Sequence, residues 1–170
     1  RTNLAGVDLR GVRFTNALIL DTNFVGANLS GVDLTKVRSS GPRRGDQRAT
    51  LRRVDFTGAN LKASKLSWLN LIDVTFTDAD LRKAKMKGVV IARGAGIHAN
   101  LRSANMAYAT LKNTNYTYAD FTRADLRNAL FINVKLTGAT LYKAKLSGTK
   151  FRKTSLKKTI RGPGGRLTPA

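Results

Sequence analysis

The sequence predicts an all-β fold of stacked coils, and three observations predict it. A large apolar residue recurs every five positions, a small or branched residue stands two before each, and no charged residue enters either position within the repeats. A helix repeats every 3.6 residues and an ordinary strand every 2, so neither fits a period of five. A chain that turns a corner about every five residues does fit. It points one large and one small side chain inward and three side chains outward. The inward groups stack on their counterparts one coil below, and the backbone pairs coil to coil at ~4.8 Å.

The first run is centred on Leu4, Leu9, Phe14, Ile19, Phe24, Leu29 and Leu34, and fails at Ser39. A second begins at Leu51 and passes through Phe56, Leu61, Leu66, Leu71, Phe76, Leu81, Met86 and Ile91. It stumbles at Gly96, which reads as a local kink whose missing side chain is replaced by Ile97 or Ala95. The frame resumes through Leu101, Met106, Leu111, Tyr116, Phe121, Leu126, Phe131, Leu136, Leu141, Leu146, Phe151 and Leu156. All seven phenylalanines occupy central positions, and Leu69 is the only bulky residue two before a centre. Leu34 and Leu51 are 17 steps apart, not a multiple of five. Residues 38–48, RSSGPRRGDQR, therefore read as a loop inserted in the rod, rich in turn formers and charge. Residues 1–160 form one domain, and residues 161–170 read as a Gly/Pro-rich extended tail.

The pentads ANLKA, ADLRK, ANLRS, ADFTR, ADLRN and VDFTG resemble the A-(D/N)-L-x-x motif of pentapeptide-repeat proteins. The resemblance implies a right-handed quadrilateral β-helix with 20 residues per coil. The central positions then make about seven coils, a rod about 35 Å long. It also implies that Asp8, Asp33, Asp55, Asp80, Asp120 and Asp125, each one before a centre, support corners. The best-understood members of the family resemble DNA in shape and negative charge and bind topoisomerases. This chain has the opposite sign. The family is abundant in cyanobacteria and has plastid descendants, which implies an organellar address, the plastid ahead of the mitochondrion.

Charge narrows the function classes. Lys and Arg number 31 against 10 acids, a net charge of +21, and every acid is an aspartate. Such a field is kept when the partner is anionic, and RNA, DNA, an acidic protein or an anionic membrane surface all qualify on composition alone. With the faces sorted, RNA is favoured and an acidic protein surface comes next. No apolar run approaches the ~20 residues of a membrane helix, so the chain reads as not transmembrane. Cysteine is absent, and the single histidine, His98, has no second imidazole to share a metal. The glycines of RGAGIH and GPGG lack the Lys-Ser/Thr of a phosphate loop. Arg44-Gly45-Asp46, an integrin-type tripeptide, reads as accidental in a basic loop. No catalytic, cofactor or metal site is expected, and the chain reads as no enzyme. The repeat begins at Arg1 without a methionine, which reads as a processed or trimmed chain; either caps lie outside this stretch, or protein neighbours cover its uncapped ends.

Residues 20 apart share a face. One face displays Lys62, Arg82, Lys83, Arg102, Arg123 and Lys143, and the next displays Lys65, Lys85, Lys87, Arg127 and Lys145. Trp68, Tyr108 and Tyr142 lie on the same two faces, placed to stack on bases or sugars. Arg43, Arg44 and Arg48 of the inserted loop are expected to serve the partner. A third face is rich in threonine, and the fourth carries Ile72, Val90, Leu130 and Ile132, read as a protein-contact stripe. The leading expectation is a basic, non-enzymatic scaffold subunit of a large assembly, docked on RNA as in an organellar ribosome. The alternative is an accessory subunit of a photosynthetic thylakoid complex on the lumenal side.

Overall fold

A computed structural model describes residues 1–38, 48–156 and 158–159. The five-residue frame becomes a four-sided β-helix of about seven coils, with no helix among the described residues. On the strand face lie β1 (Thr2–Asn3) and β2 (Thr22–Asn23), paired parallel, at the start of the rod. Then follow β3 (Thr50–Arg52), β4 (Asn70–Ile72), β5 (Val90–Ala92), β6 (Thr110–Asn115), β7 (Leu130–Lys135) and β8 (Lys150–Arg152). These six form one parallel sheet in chain order. Each pairs with the next in a register of 20, Leu71 on Ile91 and Leu111 on Phe131.

Corners arise from a repeated local device. The carbonyl of Phe56 accepts the N–H of Ala59 at 3.0 Å, and Gly58 between them has φ 64°. That is a type II turn, which needs a positive φ at its third residue. The same bond closes Leu61 to Ser64 and Met86 to Val89. Just before the turn, an Asn or Asp side chain accepts the N–H two residues on, as Asn60 does from Lys62 at 3.1 Å and Asp55 from Thr57 at 2.9 Å. The motif's second position is thus a hydrogen-bond acceptor that fixes the bend. Asp8, Asp33, Asp80, Asp120 and Asp125 accept in the same way.

Inside, the large residues form four ladders. Phe24, Phe56 and Phe76 stack nearly parallel, with centroids 5.1 and 5.4 Å apart. Central residues from Ile19 to Leu141 are buried, and so are most of the small residues two before them. In the first coil, Val7 and Val12 are 40% and 42% exposed, because among the described residues no coil lies beneath them.

The interruption in the frame conserves phase. Leu18 pairs with Arg38, a step of 20, whereas Leu20 pairs with Arg52 and Asn28 with Asn60, a step of 32. The excess, 32 − 20, is 12 residues, and the chain re-enters the rod where it left. Leu51 therefore continues the ladder of Ile19. Of the expected loop, Arg38 and Arg48 are described, while Arg43 and Arg44 lie outside the described residues, as does the tail 161–170.

The expectation for Gly96 is corrected. Neither Ile97 nor Ala95 replaces its side chain. The ring of Tyr116, one coil on, occupies that space, and a Cβ at Gly96 would lie 2.2 Å from its Cε1. Burial is complete for Tyr116 and pushes its pKa up, and its hydroxyl has no hydrogen-bond partner among the described residues. A buried unpaired hydroxyl costs about 1–3 kcal/mol. Tyr116→Phe should therefore raise stability by about 1 kcal/mol or more. The midpoint of urea unfolding checks this; a lower midpoint would mean that the hydroxyl is paired.

Candidate functional site

Outward positions sort into columns along the rod, and each column has its own chemistry. At the corner after the strand face, Asp21, Arg53, Asp73 and Arg93 follow one another coil by coil. Arg53 forks onto Asp21, and Arg93 forks onto Asp73 at 2.8 and 3.0 Å. Higher up, Asn133 donates to Asn113 at 3.0 Å. Asp21, Arg53, Asp73 and Arg93 thus pair off, while Lys153, in the same column, has no carboxylate within ion-pair distance among the described residues. The next corner carries Asp78, His98 and Tyr118, with His98 Nδ1 3.4 Å from Asp78 and its ring 5.3 Å from that of Tyr118. Among the described residues, no group of three or more His, Cys, Asp or Glu could hold a metal.

The diagonally opposite edge, between the two basic faces, is different. Here the structure divides the expected cations into paired and unpaired. Arg82 forks onto Asp80 and Arg127 onto Asp125, each two residues away. Arg102 reaches Asp120 in the next coil at 3.1 Å, and Lys65 reaches Asp33 at 3.1 Å. Arg82 and Arg127 hold the carboxyls of Asp80 and Asp125 below the usual range. For Asp120, burial pushes upward, but hydrogen bonds from Thr122 and Arg102 outweigh it. Lowered values stabilise the fold above the ordinary carboxylate pKa, and that contribution is lost as pH falls through the lowered values. Solvent exposure keeps it small.

Lys62, Lys83, Lys85, Lys87, Arg123, Lys143 and Lys145 remain. All are exposed, and among the described residues none has a carboxylate within ion-pair distance. Lys65 and Lys85 stand in the corner column where other coils place Asp33, Asn105 and Asp125. The edge thus replaces acceptors with cations at a position that elsewhere supports the turn.

Trp68 and Tyr108 are exposed and Tyr142 is half-buried, and all three are already engaged. The ring of Trp68 lies over Gly88, where a Cβ would come within 2.2 Å of it. The Arg48 guanidinium sits 5.4 Å from the Trp68 centroid and donates to the Gly88 carbonyl at 2.9 Å. This tie pins the chain where it leaves the insertion. Lys87 lies 5.6 Å from the centroid of Tyr108, and Lys143 lies 5.1 Å from that of Tyr142. On the strand face, Ile72, Val90, Leu130 and Ile132 are half-buried and fall in two columns. Val90 and Leu130 are separated by Thr110, and Ile72 and Ile132 by Ala92 and Lys112.

Turn, ladder and period agree with one family, and its model, Pentapeptide repeats, matches eight copies over residues 1–37, 49–88 and 119–157. The chain belongs to the pentapeptide-repeat family. Among solved structures it is similar to a trypsin-treated form of QnrB1, a plasmid-mediated fluoroquinolone resistance protein, at 23% identity and a TM-score of 0.61. That match covers 94% of this chain and 77% of the other, and at this identity it shows the fold. A pentapeptide repeat protein from Nostoc PCC 7120 is 29% identical with a TM-score of 0.48, covering 54% of this chain and 77% of its own. One from the Arabidopsis thaliana thylakoid lumen is 24% identical with a TM-score of 0.29, covering 74% and 69%. No curated protein matches the sequence. Within the pentapeptide-repeat fold, the core motif leaves the outward positions open, and here they carry the unpaired cations.

Proposed function

We propose that this chain is a non-enzymatic scaffold subunit of a large assembly, docked on RNA through its two basic faces, as in an organellar ribosome. The observation that carries the reading is the edge of seven cations with no carboxylate within ion-pair distance among the described residues, opposite a corner where Asp21–Arg53 and Asp73–Arg93 pair off. An unpaired, exposed cation is available to replace the counterions of a phosphate; one already bonded to aspartate is less so. The rigid, ladder-bonded rod holds these charges in fixed positions, so little ordering is needed on binding. The compartment we infer is the plastid, with the mitochondrion second, since the family has plastid descendants.

Lys83→Gln, Lys85→Gln and Lys87→Gln combined remove the densest part of this edge. Arg82 is left in place because Asp80 already engages it. RNA affinity should fall, and the dependence of log affinity on log salt should flatten by about two to three units. Unfolding should barely change, because all three side chains are exposed. Unaltered affinity and slope in the triple variant would overturn this reading. Co-purification with thylakoid complexes in place of RNA binding would favour a lumenal accessory subunit.

A further inference from the structure

Resting on the RNA reading above, we infer that the docked RNA is an A-form double helix, recognised by shape with no base stacked on the protein. Its two phosphate backbones lie on two separate rows of cations. Its shallow groove spans the two weakly charged coils between them, which carry Arg123 as their one unpaired cation of the two basic faces.

The unpaired cations are not spread evenly along the edge. One coil carries Lys83, Lys85 and Lys87. At the same three positions the next coil has Ser103, Asn105 and Ala107, with no charge at all. In the coil after that, Asp125 cancels Arg127 at 2.7 Å and leaves Arg123. The following coil again presents two cations, Lys143 and Lys145. Three coil rises of ~4.8 Å separate the rows by about 14 Å. A single strand tracks a continuous basic groove, whereas two rows flanking a gap suit two backbones flanking a groove. In A-form RNA that groove is wide and shallow and displays 2′-hydroxyls. Ser103 and Asn105, both exposed, offer polar groups to it.

The aromatic residues point the same way. Single-strand binding relies on open aromatic faces on which successive bases stack. Trp68 is packed over Gly88 and bridged by Arg48, while Tyr108 and Tyr142 each have an ammonium near the ring. A duplex keeps its bases stacked on one another and asks nothing of these rings.

Fluorescence anisotropy with the whole chain at fixed salt tests this with three probes of equal length: an RNA duplex, one of its single strands and a DNA duplex of the same sequence. The RNA duplex should bind about tenfold more tightly than either of the others. Lys143→Gln with Lys145→Gln should weaken duplex binding about tenfold, although Lys83, Lys85 and Lys87 are intact. Trp68→Ala should change it by less than about twofold. A single strand that binds as tightly, and loses about tenfold in Trp68→Ala, would overturn the inference and leave the RNA reading standing. Equal affinity for the DNA duplex would overturn the A-form assignment. No binding to any probe would overturn both the inference and the reading on which it rests.

Discussion

Leu126→Asp should destabilise the protein by about 4 kcal/mol or more, while Asn128→Asp, two residues away, should cost about 0.5 kcal/mol or less. Leu126 is fully buried in the ladder between Met106 and Leu146, so a carboxylate there has neither water nor a partner. It must ionise in an apolar stack or be held protonated, and either choice weakens the fold. Asn128 is exposed and holds a left-handed conformation, φ 57°, which aspartate also tolerates. Lys87, Arg127 and Asp125 line the same surface recess, so a new negative charge there meets two cations as well as one acid. Urea unfolding of both variants decides the matter. Equal losses would show that the five-residue frame is misplaced.

Phe56→Ala should cost about 3–5 kcal/mol, with the loss of two stacked ring contacts adding to the cavity. Phe56 is fully buried between Phe24 and Phe76, with interplanar angles of 8° and 5°. It also lies where the rod is joined across the 32-residue step, since Phe24 precedes the insertion and Phe56 follows it. The cavity would therefore open at the seam between the two runs. Phe151→Ala should cost clearly less, because Phe151 is half-buried and stacks on Phe131 alone among the described residues. Comparable losses in the two variants would contradict the ladder as the source of stability.

Most of this architecture was legible in the sequence because the period acts on every residue. A centre such as Leu101 or Phe121 needs only its own spacing to be placed inside. The aspartates were legible for a similar reason: Asp80 and Asp125 bond to the backbone two residues on, within a single pentad. What depends on the neighbouring coil was harder to see. Tyr116 looks like any other centre, and nothing in its own pentad says that its ring fills the space left by Gly96. The phase across the insertion was hidden as well, since 17 steps from Leu34 to Leu51 fit several closures of the coil.

The basic faces were legible as sides of the rod but not as charges in their final state. Arg82 and Arg127 could be paired from sequence, with an aspartate two positions before each. Arg102–Asp120, Arg53–Asp21 and Arg93–Asp73 join different coils and needed the stack. Trp68 was read as an open stacking platform; its packing over Gly88 appears only when coils are superposed. The neutral row at Ser103, Asn105 and Ala107 left a signal that could have been found, namely the absence of charge 20 residues after Lys83, Lys85 and Lys87.

The central claim is that the unpaired cations engage phosphates, and its most direct measurement is the affinity of the whole chain for RNA across a salt series. The seven cations of this edge without carboxylate partners are the ones expected to release counterions. A slope of log affinity against log salt of about −3 or steeper agrees with most of the edge being engaged. A weak affinity with a slope near zero would contradict the claim.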